Sequence, residues 1–485
     1  MEKSILDKYE MTIGIECHVQ LKTKTKLFSA SDNDARDKAP NTAVSPIDFA
    51  LPGMLPVLNK EAVRLAVIAA KALNSKVANV SSFDRKHYFY PDLPKGYQTS
   101  QMYQPTILAG EVTVPKEDGS EFKVRINHAH IEEDAGKLSH SENGSYVDLN
   151  RAGTPLIEIV SEPDMHSALE AKAYATELYR LMTFADVTHG DLYQGNMRFD
   201  VNISVAPKGS NTLGTRAEIK NLNSFRSVER AAEHEFKRQV ELVENGEKVK
   251  QETRGWDDNK QATFSQRSKE DAQDYRYMPD ADIPPIVLTD ERILEIQKDC
   301  PILPPAYREK WQDLKLDKSV IDVLFSSSKY AKLVSEVLDK DGKDSAKKTA
   351  FWFASALSGS EEDSNNEELT HLSADNLIQL AHMVSERLLS STNAKEVFIK
   401  MLSENKTPEK IAKENNLIQV SDTSAIEKIL DEVLSDESSQ KAINDIKNGN
   451  EKVYGFLVGQ VMKKSQGKAN PGLVQKMLRE KIAKL

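Results

Sequence analysis

Alternation of apolar and polar residues with a period of two restricts most strongly how this chain can fold. In residues 11–21 the odd positions are apolar, and Glu16 and His18 stand between them at even positions. Successive side chains of a strand point to opposite faces, so such a segment has one apolar and one polar face. We therefore predict an antiparallel sheet with an apolar side and a polar side. The same alternation recurs in residues 122–128, 194–204 and 214–225.

The polar positions of these strands carry acids beside bases. Arg198 and Asp200 share one face of the third segment, and Glu218 and Lys220 share one face of the fourth. Cross-strand salt bridges would account for each strand taken alone. A cation site would account for them as well, because carboxylate and imidazole groups at i, i+2 can reach one ion. The recurrence of such faces favours a shared polar floor.

Three consecutive acids, Glu132, Glu133 and Asp134, follow the alternating segment 122–128. Adjacent carboxylates repel one another unless a cation lies between them. An isolated run of this kind is more often a solvated turn. Alternation places Glu132 on one strand face and Glu133 on the other. Both can therefore serve one site only if the strand ends or bulges there, and we expect that break at 135–136.

A further acid interrupts an apolar strand. Glu158 lies inside Leu-Ile-Glu-Ile-Val, where a carboxylate is costly to bury unless it is paired or bound to a metal. Two proline-bounded segments, 84–101 and 264–285, combine aromatic and charged residues. Their prolines exclude a long helix or a central strand. Each is either a binding loop or a packed surface loop.

Helical periodicity marks residues 60–78, 167–184 and 225–245 and becomes dominant after about residue 290. We predict the α+β class, with an antiparallel sheet flanked by helices and followed by all-α domains. The predicted cradle domain covers 1–292, the helical domain 293–410 and a basic helical tail 411–485. Residues 358–368 contain no apolar side chain and predict a flexible loop.

Composition restricts the class of protein. The 485 residues are 39% hydrophobic and 29% charged, with a net charge of −10. The sequence has no apolar run long enough to span a membrane, and two cysteines suit a reducing cytoplasm. Residues 441–485 nevertheless hold ten lysines and arginines against three acids. Such a segment suits a polyanion, although a lysine-rich helix surface has the same composition.

Phosphate-loop, dinucleotide and zinc-ligand spacings are absent from the sequence. Acids beside arginines and lysines on polar strands instead favour Mg²⁺, which bridges carboxylates to phosphates. The residues alone thus predict a Mg²⁺- and nucleotide-dependent enzyme on an antiparallel sheet, followed by a helical nucleic-acid module.

Several motifs together resemble the B-subunit family of glutamine-dependent aspartyl/glutamyl-tRNA amidotransferases. The resemblance extends over nearly the whole chain. It rests on residues 13–21, 88–98, 130–137, 148–164, 217–225, 274–279 and 455–471.

The resemblance implies a cytoplasmic heterotrimer in which an A subunit releases ammonia from glutamine and a small C subunit holds the pair together. The B subunit would use ATP to phosphorylate the side-chain carboxylate of misacylated Glu-tRNA(Gln) or Asp-tRNA(Asn), and ammonia would displace the phosphate. A non-catalytic tRNA-binding scaffold is the alternative. The archaeal-type subunit usually carries an inserted domain for which this chain has no room.

The resemblance also implies roles for individual residues. Glu132 would stand at the mouth of an ammonia tunnel or act as a second metal ligand. The implied metal ligands are Glu16, His18, Glu133, Asp200 and Glu218. The implied catalytic residues are Glu132, Glu133, Lys86, Arg151 and Arg198. The implied nucleotide-binding residues are Lys220, Asn221, Arg276 and Tyr90.

Two departures from the family pattern concern loops. Many relatives carry two cysteine pairs of a zinc knuckle, where this chain has Ser29-Ala-Ser31 and Ser45-Pro-Ile-Asp48. We therefore expect no zinc and a loop held by packing alone. The second departure replaces Phe-Pro-Glu-Pro-Asp by Met-Pro-Asp-Ala-Asp, and Asp280 and Asp282 keep acids there.

Overall fold

The computed structural model describes residues 2–268, 274–357, 372–418 and 423–483, except 448–449, 451–452, 466–468 and 470. Contacts divide the chain into two compact units, one up to Pro304 and one from Pro305 onward. The loop predicted at 358–368 lies outside the described residues, as do Lys452, Lys468 and Lys484 of the basic tail.

The first unit is built on strands. They are β1 (Tyr9–Gln20), β2 (Val80–Ser81), β3 (Asp84–His87), β4 (Tyr97–Ser100), β5 (Gly110–Pro115), β6 (Glu121–Glu133), β7 (Lys137–Ser141), β8 (Gly144–Asp148), β9 (Pro155–Ser161), β10 (Met197–Pro207), β11 (Ala217–Leu222), β12 (Glu252–Asp257), β13 (Ala262–Ser268), β14 (Met278–Pro279) and β15 (Ile286–Val287). Its helices are α1 (Lys3–Leu6), α2 (Lys60–Ala72), α3 (Ala168–Phe184), α4 (Phe225–Glu244) and α5 (Asp290–Gln297).

One eight-stranded sheet positions the polar residues, in the order β13-β12-β11-β10-β1-β9-β6-β5. The predicted α+β class is confirmed. The sheet is mixed rather than purely antiparallel, because β11 and β12 pair in parallel across the long connection through α4. Every other neighbouring pair in this sheet is antiparallel.

Helices α2, α3 and α4 cover the apolar face of the sheet. Ile13, Ile15 and Cys17 of β1 are essentially inaccessible, and they belong to the same core as residues of these helices. Ser167 caps α3 by accepting a hydrogen bond from the backbone N–H of Glu170. The helix predicted at 60–78 ends at Ala72, because Asn74 takes a left-handed conformation with φ of 49°.

A small sheet of β14, β3 and β4 accounts for the predicted loop at 84–101. Its prolines stand between the strands, so each end of the segment still pairs. Arg85 holds the later segment against β3 by contacting Asp280 at 3.0 Å and Asp282 at 2.6 Å. The acids that this chain keeps after Met278-Pro279 are therefore anchors of the small sheet.

The second unit is helical. Its helices are α6 (Pro304–Trp311), α7 (Lys318–Leu324), α8 (Ser328–Asp341), α9 (Lys343–Leu357), α10 (Ala374–Ser385), α11 (Ser391–Ser403), α12 (Pro408–Glu414), α13 (Thr423–Ser435), α14 (Glu437–Lys447), α15 (Tyr454–Lys464) and α16 (Pro471–Ile482). Helices α13 to α16 share a core of their own, which includes Leu430, Leu457 and Leu478.

The predicted boundaries at 292/293 and 410/411 stay predictions, and both cut helices. The first falls inside α5 and the second inside α12, whose Ile411 and Ala412 are fully buried. Among the described residues, no helix combines the length and hydropathy that crossing a membrane requires.

Candidate active site on the polar face of the sheet

Four adjacent strands place polar residues in one row across the sheet. His18 of β1 is paired with Arg198 of β10 on one side and with Glu158 of β9 on the other. Glu158 is in turn paired with His130 of β6. Paired residues of antiparallel strands share a face, so the alternation of each strand assembles this row.

The first acidic cluster consists of His18, Glu132 and Glu158. Nε2 of His18 lies 3.4 Å from Glu132 Oε1 and 3.6 Å from Glu158 Oε2. One possible ligand atom from each residue lies within 4.8 Å of the others. His130 borders this cluster, with Nε2 lying 3.2 Å from Glu158 Oε2 and 3.7 Å from Glu132 Oε2.

Mutual electrostatics set the ionisation of this cluster. Burial opposes the charged form of His130, but Glu158 and Glu132 raise its pKa to about 10. Burial likewise opposes ionised Glu158, yet His130, His18 and Lys86 hold its pKa far below the usual range. Within this cluster, an ionised Glu158 is therefore balanced chiefly by the charge on His130.

Lys86 supplies a further positive charge beside this cluster. Its Nζ lies 5.0 Å from the ring centroid of Tyr275. Burial lowers the pKa of Lys86, but the larger combined influence of Glu132, Tyr277 and Glu158 raises it. The structure thus brings the predicted Lys86 to the predicted Glu132.

The second acidic cluster lies beside the first along β1 and consists of Glu16, Asp200 and Glu218. One carboxylate oxygen from each residue lies within 4.8 Å of the others. Burial, followed by Glu158, Glu218 and Asp200, raises the pKa of Glu16. Lys220 partly balances this charge, with Nζ lying 3.0 Å from Glu218 Oε1 and 3.4 Å from Asp200 Oδ2.

Asn221 contributes to this cluster through its backbone. Its side chain is exposed, and its N–H donates to Asp200 Oδ1 at 2.8 Å. The residue takes φ of 59°, where the pairing of β10 with β11 shifts register. Asn202 donates to Glu16 Oε1 at 2.9 Å, while its own Oδ1 is buried without a hydrogen-bond partner among the described residues.

These donor sets fit hard divalent cations. The second cluster offers three carboxylates and the orphaned Oδ1 of Asn202, and oxygen ligands of this kind suit Mg²⁺. The first cluster offers two carboxylates and the imidazole of His18. Glu16 and His18, two residues apart on one face of β1, would thus serve neighbouring ions.

The structure does not bring Glu133 to either cluster. Strand β6 continues through Glu133, and Glu132 and Glu133 pair regularly with Leu156 and Pro155 of β9. The strand ends only after Glu133, and residues 134–136 lie between β6 and β7, so this end does not turn both acids to one side. Alternation therefore keeps Glu133 apart from the other predicted ligands, and the ligand set itself stays a prediction.

Glu133 instead has partners on the opposite face. Lys95 pairs with Oε1 of Glu133, and the backbone N–H of Thr99 donates to the same oxygen at 2.9 Å. Both acids, Glu132 and Glu133, are nearly inaccessible. A buried carboxylate is tolerable here because an ammonium and a backbone donor compensate it.

Two predicted arginines converge on Asp134. Nη2 of Arg198 lies 2.9 Å from Asp134 Oδ2, and Nε of Arg151 lies 3.5 Å from the same oxygen. Arg151 also donates to the carbonyls of Ala135 at 3.0 Å and Gly136 at 2.6 Å. These contacts use N–H donors of both guanidinium groups. Fewer donors therefore remain for a phosphate than the predicted phosphate-binding role suggested.

Arg276 and Tyr90 are not members of either acidic cluster. Arg276 lines an open cavity of about 450 Å³. His87, Tyr88, Phe89, Asp274 and Met278 also line it. Tyr90 is 59% exposed and is not one of these lining residues. The structure thus separates the predicted nucleotide-binding residues into Lys220 with Asn221 at the second cluster and Arg276 at this cavity.

Two protein families match successive parts of the chain. Residues 11–294 match the family described as "GatB/GatE catalytic domain", and residues 332–482 match the family described as "GatB domain".

The chain belongs to the amidotransferase B-subunit family.

Curated relatives from this B-subunit family match over nearly their whole length, and each is named as the B subunit of an aspartyl/glutamyl-tRNA(Asn/Gln) amidotransferase. The protein of Caldicellulosiruptor bescii is 42% identical over 485 residues, covering 99% of this chain and 100% of the relative. That of Ectopseudomonas mendocina is 44% identical over 483 residues, covering 98% and 99%. That of Polynucleobacter asymbioticus is 44% identical over 495 residues, covering 98% and 100%. The family membership predicted from the motifs is confirmed.

In this member of the B-subunit family, a hydrogen-bonded group occupies the place of the cysteine pairs. Asp48 accepts hydrogen bonds from Ser29 Oγ at 2.9 Å, Ser31 Oγ at 2.8 Å and Ser45 N at 2.8 Å. The ammonium of Lys26, which is wholly buried, lies 3.4 Å from Asp48 Oδ2. Polar contacts as well as packing therefore hold the loop, which corrects the expectation of packing alone.

Sequence reasoning missed several residues of this B-subunit site. Glu158 carried a clear signal, because it interrupts an apolar strand, and it was not assigned as a ligand. His130 could have been found two positions before Glu132 on the same strand face. Tyr275 and Tyr277, which lie near Lys86, carried no spacing signal, because their loop reaches the sheet only through tertiary packing.

Proposed function

We propose that this chain is the synthetase subunit of a glutamine-dependent aspartyl/glutamyl-tRNA amidotransferase. It converts misacylated Glu-tRNA(Gln), Asp-tRNA(Asn) or both to the amidated tRNA, with ATP and Mg²⁺. The observation that carries this proposal is the pair of acidic clusters around Glu16 and His18, side by side on β1, in a chain of the B-subunit family. Its partners are a glutaminase A subunit and a C subunit, and its compartment is the cytoplasm.

The reaction needs no protein nucleophile. A side-chain carboxylate oxygen of the aminoacyl group attacks the γ-phosphorus of ATP, the bond to ADP breaks, and an acyl phosphate forms. Ammonia then attacks the acyl carbon, phosphate leaves, and the amide nitrogen loses a proton. Divalent cations, when bound, neutralise phosphate charge during both transfers.

Residues of the chain hold and screen these reactants. The first cluster would hold one cation through His18, Glu132 and Glu158, and the second would hold another through Glu16, Asp200 and Glu218. Lys86, beside Glu132 and Glu158, faces the negative charge that develops on the acyl phosphate. The cross-strand pairing from Arg198 to His130 fixes the backbone that carries these groups, so their relative positions are set before the reactants bind.

Ammonia requires a base and a route that excludes water. Glu132 is nearly inaccessible and has two carboxylate oxygens, so the oxygen that does not hold the cation can accept the proton of the incoming ammonium. Water that reached the acyl phosphate would hydrolyse it, so exclusion of water decides the product. We therefore assign the proton transfer to Glu132. We assign a positioning role to Arg151, which donates to the carbonyls of Ala135 and Gly136 and so orders the loop after β6.

Amide formation by the assembled A, B and C subunits tests the proposal. The assay supplies ATP, Mg²⁺ and glutamine, and it measures conversion of both misacylated tRNAs, which also identifies the physiological substrate. Glu158→Gln should lower the rate at least about a hundredfold, as loss of a transition-state electrostatic contact does. Lys172→Gln, which removes a contact to Glu229 between α3 and α4, should leave the rate unchanged. Equal activity of both variants would contradict the assignment.

The scaffold alternative predicts a different outcome. In that case the acidic faces are salt-bridge ladders, and ATP hydrolysis in the complex should not depend on the chain's carboxylates. Hydrolysis of ATP that requires misacylated tRNA and is abolished by Asp200→Asn would exclude a scaffold. Hydrolysis unaffected by that substitution would favour it.

Tail helices α13 to α16 are the proposed tRNA-binding module. They share a separate core, so deletion of residues 423–485 removes them without cutting α12. We expect weaker tRNA binding and a higher KM for tRNA, with kcat preserved at saturating tRNA. Unchanged affinity in a fluorescence titration would refute this assignment.

Zinc is not part of the proposed cofactor set. Asp48, Ser29 and Ser31 stand where cysteine ligands occur in many relatives. The hydroxyls of both serines donate hydrogen bonds to the Asp48 carboxylate. Elemental analysis of the purified complex should find substoichiometric zinc, and full activity should persist after treatment with a zinc-selective chelator. One zinc bound per chain and lost together with activity would contradict this.

A further inference from the structure

The ammonium of Lys220 lies where a cation of the second cluster would bind. It contacts Glu218 Oε1 at 3.0 Å and Asp200 Oδ2 at 3.4 Å. These carboxylates belong to the three whose oxygens converge within 4.8 Å.

The remaining oxygens of these carboxylates already have other partners. Oδ1 of Asp200 accepts the backbone N–H of Asn221 at 2.8 Å. Oε2 of Glu218 accepts the hydroxyl of Thr253 at 3.2 Å. Lys220 therefore covers the oxygens that are left to point into the cluster, and a divalent ion must compete with it directly.

The side chain of Lys220 is free to leave while its backbone stays in place. It is 38% exposed, so its outer part borders solvent. Its backbone is fixed in β11, and the bond from Asn221 to Asp200 closes the adjacent register shift. A flexible four-carbon stem can move the ammonium without disturbing the sheet.

We propose that Lys220 is a resident counterion which a divalent cation displaces from Asp200 and Glu218, and whose freed ammonium then binds a nucleotide phosphate. This rests on the proposed function, because it concerns the cation and nucleotide of that reaction. Charge complementarity supports it: three carboxylates exceed what one ammonium neutralises, and a divalent ion that replaces it leaves Lys220 beside the phosphates that the ion would bridge. Lys220 thus offsets part of the negative charge of the second cluster while the chain folds. A divalent cation then replaces its ammonium when metal and nucleotide bind.

Manganese binding tests the displacement without any measurement of amide formation. The full chain carrying Glu132→Gln, which weakens the first cluster, is titrated with Mn²⁺ alone and followed by electron paramagnetic resonance. Adding Lys220→Gln removes the competitor and should tighten Mn²⁺ binding at least about tenfold. Lys220→Arg keeps the charge and should leave the affinity near that of the Glu132→Gln chain, whereas Glu218→Gln should weaken it. The proposal is overturned if the Glu132→Gln chain binds Mn²⁺ with the same affinity whether or not Lys220→Gln is added.

A second measurement uses the unaltered chain. Amine-selective acylation, read by mass spectrometry, should label Lys220 faster when Mg²⁺ is present and slower again when Mg²⁺ and ADP are both present. Lys172 serves as the internal reference, since its partner Glu229 lies outside the clusters. Labelling of Lys220 that ignores Mg²⁺ overturns displacement, and labelling that ignores ADP overturns the phosphate contact. Failure of the assembled complex to form amide, with these results intact, would instead refute the proposed function.

Discussion

Glu132 and Glu133 are neighbours in the chain, yet they face opposite sides of β6 and have separate partners. Glu132 lies 3.4 Å from His18 on the polar face, whereas Glu133 pairs with Lys95 on the other. Both are nearly inaccessible, so exposure does not distinguish them. Strand geometry alone therefore separates a carboxylate available to a cation from one that is already compensated.

This separation predicts different effects of the two amide substitutions on metal binding. Glu132→Gln removes a ligand of the first cluster and should weaken Mn²⁺ binding there at least about tenfold, because an uncharged amide is a poorer cation ligand. Glu133→Gln should change the affinity by less than about twofold. Mn²⁺ titration of the full chain, followed by electron paramagnetic resonance, measures the affinity of both variants. Each variant is also titrated with Glu218→Gln added, so that binding at the second cluster can be subtracted. An equal loss in both variants would contradict the assigned faces.

Lys95 is predicted to matter for stability through Glu133. Lys95→Met leaves a buried carboxylate without its ammonium, and removal of one partner of a buried pair costs about 3–5 kcal/mol. Thermal unfolding should show a lower melting temperature for this variant. Adding Glu133→Gln should recover much of the loss, because the uncompensated charge disappears. As a control, Lys123→Met breaks an exposed pair with Glu111 and should shift stability by less than about 1 kcal/mol.

Asp48 is predicted to close the loop that contains Ser29 and Ser45. Asp48→Ala removes the acceptor of several hydrogen bonds and leaves the buried Lys26 unpaired, so we expect a loss of about 3–5 kcal/mol. A lower melting temperature and faster proteolysis within residues 23–59 would confirm this. Asp34→Ala is the matched control, since its pair with Arg36 is exposed. Equal melting temperatures for both variants would show that Asp48 does not hold the loop.

Acid sensitivity is predicted from Glu252 on β12. Burial opposes its charged form, but Ser265 and Arg254 lower its pKa below the unperturbed 4.5. A depressed carboxyl pKa gives stability that is present above 4.5 and lost as pH falls through the folded-state value. Melting temperatures between about pH 5.5 and pH 3.5 should therefore fall more steeply for the unaltered chain than for Glu252→Gln. Parallel pH profiles would refute this contribution.

The sheet was predictable wherever one strand face is apolar. Alternation in residues 11–21 gave the position of β1 and the face that carries Glu16 and His18, because burial selects the register strongly. The periodicity of residues 167–184 and 225–245 predicted α3 and α4 within a residue or two of their observed bounds. The parallel pairing of β11 with β12 was not predictable, since it depends on where the chain returns after α4.

The candidate site was predictable only in part, for a similar reason. Which acids stand on the polar face of their own strand follows from alternation, as for Glu16 on β1 and Asp200 on β10. Which cluster each acid joins depends on cross-strand register, which single strands do not encode. The expected grouping of Glu133 with these acids relied on family resemblance and conflicted with alternation, and alternation prevailed.

The loop closed by Asp48 has a consequence for how the protein can be made. Its contacts involve only oxygen and nitrogen atoms of Asp48, Lys26 and nearby serines. On the proposal that no zinc binds here, newly synthesised chains complete this loop without waiting for delivery of a transition metal. Residues 23–59 contain no cysteine, so oxidants that attack thiolates have no target in the loop. Starving the cell of zinc would then leave the closure of this loop unaffected.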